Sequence, residues 1–353
     1  MELGIISAGE ACRHLKLSRS QLYKLLTKYK NGGLPAIASR KRGGPSNRAY
    51  SNVFRKQVLT IVEELYNDYG PTLAAQMLRE VHGKAVSRET LRTWMIKAGI
   101  WITNRATRKR LHQPRKRMPT YGDLVQVDGS DHEWFEGRGP RCTAMVMVDD
   151  ATGRLQILQF ARREDRGAYF QATHSYVATY GRPVRIQTDK HSAVWSADGP
   201  TEYGKALEKL NIIHSVAHSP QSKGRVERCH RTLQDRLVKA FRREGICTIS
   251  EANAFAPKFI EKYNELFAKS PARTGNNHRT PGSKDEVDCA FSRQECRRVT
   301  TRLTFSYGGT TYVIQKGQGD RDQIGHKVLV EKRLDGSLAV FGQRGQLNVS
   351  TIY

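Results

Sequence analysis

The sequence predicts a multidomain chain: N-terminal all-α helix-turn-helix modules, a central α/β core on a mixed five-stranded sheet, and a small all-β barrel at the C-terminus. Three observations carry this expectation. Apolar residues recur at helical spacing as far as Ile96, short strands then alternate with helices from Leu124 to Phe267, and beyond Leu303 apolar and polar residues alternate between glycine turns. A chain of 353 residues is long for one core and suits several compact units.

The first module spans residues 1–33. A helix over 7–15 is followed by one that starts at the N-cap Ser18, carries Leu22, Leu25 and Leu26 inward, and ends at Gly32-Gly33. It offers Arg19, Gln21 and Lys24 to a partner. Residues 34–49 form a basic linker with Arg40, Lys41 and Arg42 and no acid. The second module, 50–102, has three helices: one with Phe54, Val58, Ile61, Val62 and Leu65 on its apolar side, one over 72–81, and one capped by Ser87. The last buries Leu91, Trp94 and Met95 and presents Arg88 and Arg92. A plain helical packing domain is the alternative. A second acid-free linker, 103–120, contains Arg105, Arg108, Lys109, Arg110, Arg115, Lys116 and Arg117. Such runs stretch by self-repulsion. They are either solvated faces or arms that follow phosphates.

The core spans 121–267. Strands are expected over 124–128, 141–149 and 154–160, with Asp149-Asp150-Ala151-Thr152-Gly153 as the turn between the last two. Then come a helix over 164–180, a strand over 184–188, a helix over 202–210, a strand over 212–217 and a long helix over 221–243. This is the ribonuclease H-like order, a meander followed by right-handed crossovers. Another helix, 251–267, packs on it. Residues 268–300 are expected as a linker, rich in Ser, Pro, Arg, Thr and Asn at its start, and 301–353 as the barrel.

Charge narrows the function. Lys and Arg number 59 against 34 acids, a net charge of +25, which calls for a polyanionic partner. No apolar run is long enough to cross a bilayer and no secretory signal is apparent, so a cytoplasmic protein facing nucleic acid is expected. Cys12, Cys142, Cys229, Cys247, Cys289 and Cys296 lack zinc or redox spacing and are expected to be reduced.

Three acids occupy particular points of the core: Asp128 in its first strand, Asp189 at the end of its fourth, and Glu227 early in the long helix. The first and fourth strands are neighbours in this topology, so the aspartates emerge side by side and the helix lowers Glu227 beside them. Clustered carboxylates repel unless a cation holds them. Their hard oxygens suit two Mg²⁺ or Mn²⁺ ions, which clamp the attacking and leaving oxygens of phosphoryl transfer. On the helix, Val226, Cys229, Leu233, Leu237 and Phe241 form a buried stripe, while Glu227, His230, Arg231 and Gln234 share the adjoining face. His230 and Arg231 are placed either to touch the scissile phosphate, to orient Glu227, or to face solvent.

The segment His218-Ser219-Pro220-Gln221-Ser222-Lys223-Gly224-Arg225-Val226-Glu227-Arg228 resembles the signature that carries the last carboxylate of integrase-core transposases and retroviral integrases. Val127-Asp128-Gly129 and Gln187-Thr188-Asp189 resemble the other two signatures. Glu227 follows Asp189 by 38 positions, close to the family's gap. Together with Asp149-Asp150-Ala151-Thr152-Gly153, these motifs resemble bacterial insertion-sequence transposases of the ISNCY type along most of the chain. Lys190-His191 departs from the small pair many integrases have there. The resemblance implies Asp128, Asp189 and Glu227 as catalytic metal ligands and Lys223 and Arg225 among the DNA contacts. It further implies binding of double-stranded DNA at terminal inverted repeats, 3′-end cleavage and strand transfer, in a homodimer or higher oligomer at the bacterial nucleoid. The alternatives are a transposase-derived DNA-binding regulator without catalysis and a nuclease for RNA or hybrids on the same fold. Helix-turn-helix modules favour duplex DNA.

Overall fold

The computed structural model describes residues 6–38, 49–102, 115–217, 220–315 and 320–352. Arg40, Lys41, Arg42, Arg105, Arg108, Lys109 and Arg110 of the expected basic linkers lie outside the described residues, as do His218 and Ser219. The chain divides into two compact units, residues 1–109 and 110–353.

In the first unit, α1 (Ala8–Leu15) and α2 (Arg19–Ile37) each start at a reciprocal cap. Ser7 pairs with Glu10 and Ser18 with Gln21, satisfying helix donors that would otherwise lack partners. Gly32-Gly33 interrupts α2, as expected, although a short helical stretch follows. Gly33 takes a left-handed φ of 63° and the chain resumes helical form through Ile37, so the pair makes a kink. Helices α3 (Asn52–Leu65), α4 (Pro71–His82) and α5 (Arg88–Lys97) form the expected trihelical group around Val58, Val62, Leu73, Leu78, Leu91 and Met95. Pro71 opens α4, where its missing N–H costs nothing, and Gly83 closes it in the left-handed region.

The second unit holds the mixed sheet. Its strands are β1 (Val125–His132), β2 (Cys142–Asp149), β3 (Leu155–Ala161), β4 (Arg185–Thr188) and β5 (Ile213–Val216). Helices α6 (Arg166–Tyr180), α7 (Glu202–Lys209), α8 (Gly224–Glu244) and α9 (Ile249–Phe267) complete it. Strand order is β3-β2-β1-β4-β5, antiparallel within the meander and parallel for β1 with β4 and β4 with β5. This is the expected order. Val125 and Val127 face one layer with α6 and α7, while Ala144, Val146 and Val148 face the other with α8 and α9. Strand β2 is therefore buried along its whole length.

Two asparagines of α9 close the free margin of β3. Asn264 exchanges hydrogen bonds with the Leu155 N–H and C=O, both 2.8 Å, and Asn253 does the same with Phe160 at 2.7 and 3.0 Å. The spacing explains the match. Eleven residues of helix and five of strand both span about 16 Å.

Residues 268–300 are not a linker. Arg273 donates to the Pro119 carbonyl, Asn277 to Tyr121, and Arg279 and Arg182 exchange main-chain bonds, so the stretch is laid along the core. Helix α10 (Lys284–Ala290) then buries Val287 and Ala290 in the core beside α6, and β6 (Arg293–Arg298) already belongs to the C-terminal region. That region continues with β7 (Thr304–Tyr307), β8 (Thr310–Ile314), β9 (Lys327–Lys332), β10 (Leu338–Gly342), β11 (Gly345–Leu347) and β12 (Val349–Ile352). Its described strands form two antiparallel sheets, β11-β10-β9-β6 and β12-β8-β7, where a small barrel or sheet was expected. Both sheets contribute to one core, including Phe305, Ile314, Val328, Val330 and Val340. No disulfide joins Cys12, Cys142, Cys229, Cys247, Cys289 or Cys296. Among the described residues no helix is long and apolar enough to cross a membrane.

Candidate functional site

Strand β1 turns a polar stripe, Gln126, Asp128 and Ser130, toward α8. Residues two apart on a strand lie about 6.6 Å apart and residues four apart on a helix about 6 Å, so the two elements keep step. Gln126 meets Val226, Asp128 meets His230, and Ser130 meets Gln234.

Helix α8 has no cap of its own, because Lys223 stands at its N-cap position and offers no side-chain acceptor. Gln126 supplies it from the strand. Its Oε1 accepts from the Arg225 and Val226 amides at 3.2 and 3.1 Å, and its Nε2 donates to the Ser222 carbonyl at 2.8 Å. These amides are the second and third of the helix, the ones a capping serine would take. Nothing in periodicity marks Gln126 for this. Its only signal is a polar residue two positions before Asp128.

The parallel register pairs Val125 with Ile186 and Gln126 with Gln187, and the same offset continued brings Asp189 level with Asp128. The two carboxylates converge on one cation. Lys223 Nζ lies 2.7 Å from Asp128 Oδ1 and 3.3 Å from Asp189 Oδ2. Burial pushes the Asp128 carboxyl up to about 6, opposed by the Lys223 ammonium and reinforced by Asp189 and Glu164. His230 Nδ1 is 3.8 Å from Asp128 Oδ2. Burial and the Lys223 charge pull that imidazole down to about 4, so it is neutral at pH 7.

Glu164, which precedes α6, is an acid the sequence reading missed. Its carboxylate takes the space where a Cβ on residue 129 would sit. Tyr169 Oη donates to Glu164 Oε1 at 2.5 Å and holds it there.

Glu227 lies in the first turn of α8 and is exposed. Lys223, Glu227 and His230 are spaced i, i+4 and i+7, so Glu227 shares its helix face with the two residues that touch Asp128. Among the described residues no three His, Cys, Asp or Glu side chains are gathered around one point ready to hold a metal. The donor chemistry nonetheless fits a divalent ion at Asp128 and Asp189, because two hard carboxylates, one in β1 and one just past β4, already share one cationic atom.

Several residues expected at DNA serve the protein interior here. Lys223 is buried on the aspartates, and His230 is buried against Asp128. Arg225 donates to the Arg115 carbonyl, Arg115 pairs with the fully buried Asp150 at 2.5 Å, and Arg117 donates to the Ala151 carbonyl. The cause is Asp150, an expected turn residue that also accepts from the Met118 amide and anchors the entry to the core. Arg92 pairs with Glu89, and Gln21 is used in capping. Arg19, Lys24, Arg88, Lys116 and Arg231 are exposed.

No family model matches the chain. Among known proteins, Sinorhizobium fredii y4bF, which bears the name of a transposase, is 43% identical over 345 residues, covering 96% of this chain and 75% of the relative. The transposase for insertion sequence IS1202 of Streptococcus pneumoniae is 29% identical over 301 residues, covering 73% of this chain and 64% of the relative. Among solved structures, the HTLV-2 integrase catalytic core in complex with magnesium is similar over 43% of this chain and 92% of its own, with 19% identity and a TM-score of 0.35. The simian T-cell lymphotropic virus intasome with PP2A regulatory subunit B56 gamma is similar over 83% of this chain and 99% of the matched one, with 16% identity and a TM-score of 0.37. Those scores are too low to assign the fold, which rests on the strand order described above. Kinship with y4bF, sustained along nearly the whole sequence, establishes that the chain belongs to the bacterial transposases.

Proposed function

We propose that the protein binds the terminal inverted repeats of an insertion sequence, cleaves 3′ ends and joins them to target DNA, with Asp128, Asp189 and Glu227 as the ligands of two Mg²⁺ or Mn²⁺ ions. The observation that carries this reading is the shared cation position between Asp128 and Asp189. Divalent ions held there supply Lewis-acid activation of the phosphodiester and of the attacking oxygen.

The chain's own groups have distinct tasks. Asp128, rigid in mid-strand, sets one side of the site and Asp189 the other. Gln126 holds the start of α8 so that Glu227 stays on the face that reaches them. His230, buried, packs beside Asp128 Oδ2. Arg19, Lys24 and Arg88 in the first unit, and Lys116 and Arg231 in the second, are exposed cations for DNA phosphates. The linker arginines Arg40, Arg42, Arg105, Arg108 and Arg110, with Lys41 and Lys109, add to that grip. Joining two element ends requires at least a dimer.

The test is cleavage and strand transfer on oligonucleotides bearing the element's terminal repeats, with Mg²⁺ or Mn²⁺. Asp128→Asn, Asp189→Asn and Glu227→Gln each abolish product while gel-shift binding persists. Full cleavage by one variant removes that residue from the set. Specific binding by the wild type without cleavage under any divalent ion favours a DNA-binding regulator instead.

A further inference from the structure

Lys223 is 7% exposed, and a lysine so buried is stable only when its charge is paired. Its ion-pair partners are Asp128 and Asp189. The ammonium is therefore the cation that balances these two carboxylates in the absence of metal.

We propose that Lys223 is a built-in occupant of the metal position, displaced when a divalent ion binds. This rests on Asp128 and Asp189 being the metal ligands. An ammonium at hydrogen-bond distance from both aspartates and a divalent ion bound by the same oxygens compete for one place, since like charges at that separation repel, most strongly on the buried Asp128 side. One must leave. Lysine has the means, because its four-carbon stem is flexible and its charge is readily hydrated. Lys223 also ends the short turn Pro220–Lys223 and directly precedes α8. Ion loading is thus coupled to the residues leading into the helix that bears Glu227. Without metal, the lysine keeps the site neutralised, ordered and inert.

The test needs no activity. Full-length wild-type protein is acetylated with an N-hydroxysuccinimide ester in EDTA or in Mg²⁺, and lysine modification is read by peptide mass spectrometry. Lys223 is protected in EDTA and labelled several-fold faster in Mg²⁺, whereas the exposed Lys258 is labelled equally in both. Equal labelling of Lys223 in the two conditions overturns the proposal. A competitor that fills a site in nine molecules of ten lowers apparent affinity about tenfold, so Lys223→Gln binds Mn²⁺ about tenfold more tightly by calorimetry. If that variant fails to fold in EDTA, the wild-type labelling decides alone. Asp128→Asn separates the two readings. Should it bind Mn²⁺ as well as wild type, the aspartates are not the ion's ligands and both readings fall. Should it lose binding while Lys223→Gln gains none, only the role of the lysine falls.

Discussion

Replacing Gln126 by leucine would test whether a strand side chain holds the start of α8 in place. The substitution keeps the volume and removes the carboxamide. The Arg225 and Val226 amides and the Ser222 carbonyl then lose the partner that a fully buried side chain supplies. At about 1 kcal/mol for each lost bond the cost is about 3 kcal/mol. For a unit of this size that lowers the melting temperature by about 6–12 °C. The 3.3 Å contacts of Nε2 with Asp150 and Gln187 are long and add little. Two assays report the effect. Calorimetry gives the loss of stability, and hydrogen exchange of peptides covering 222–228 reports faster opening at the start of α8, with the rest of the sheet unchanged. Strand transfer falls while DNA binding holds. A stability loss below about 0.5 kcal/mol, with unaltered exchange in that peptide, would refute the cap.

Gly129→Ala displaces the Glu164 carboxylate and breaks its bond with Tyr169, costing about 1 kcal/mol; in a Glu164→Ala background the same change costs nothing, and additive losses in the four-protein cycle would disprove the steric link. His230 sits near 4 when folded against 6.5 when unfolded, so it contributes stability above pH 6.5 that is lost as pH falls toward 4. The contribution is about 3 kcal/mol. Asp128, raised to about 6, acts with the opposite sign: its contribution is present at low pH and is lost as pH rises through 6. Denaturant titrations of wild type and His230→Gln from pH 4 to 8 therefore diverge, the wild type losing more on acidification. Parallel profiles would mean that His230 is not held neutral.

The order of elements in the core was legible because each strand or helix carries its own period, and the adjacency of Asp128 and Asp189 followed from that order. What escaped the sequence is what depends on a partner across space. Lys223 and Arg225 stand in a basic motif, and charge alone assigns them to solvent or DNA, yet carboxylates far away in the chain draw them inward. Gln126 and Glu164 are single polar residues whose tasks exist only once β1, α8 and α6 are assembled. The composition of 268–300 describes its side chains, whereas its path along the core is fixed by main-chain bonds to Pro119, Tyr121 and Arg182.

The paired asparagines of α9 also limit how copies of this protein can meet. A strand at the border of a sheet ordinarily invites another chain to extend it, and at Leu155 and Phe160 that invitation is already answered from within. Growth of the mixed sheet from one molecule into the next is blocked along this border. Copies that associate by adding strands must use another edge, and loss of Asn253 or Asn264 would be felt first as clumping at high concentration.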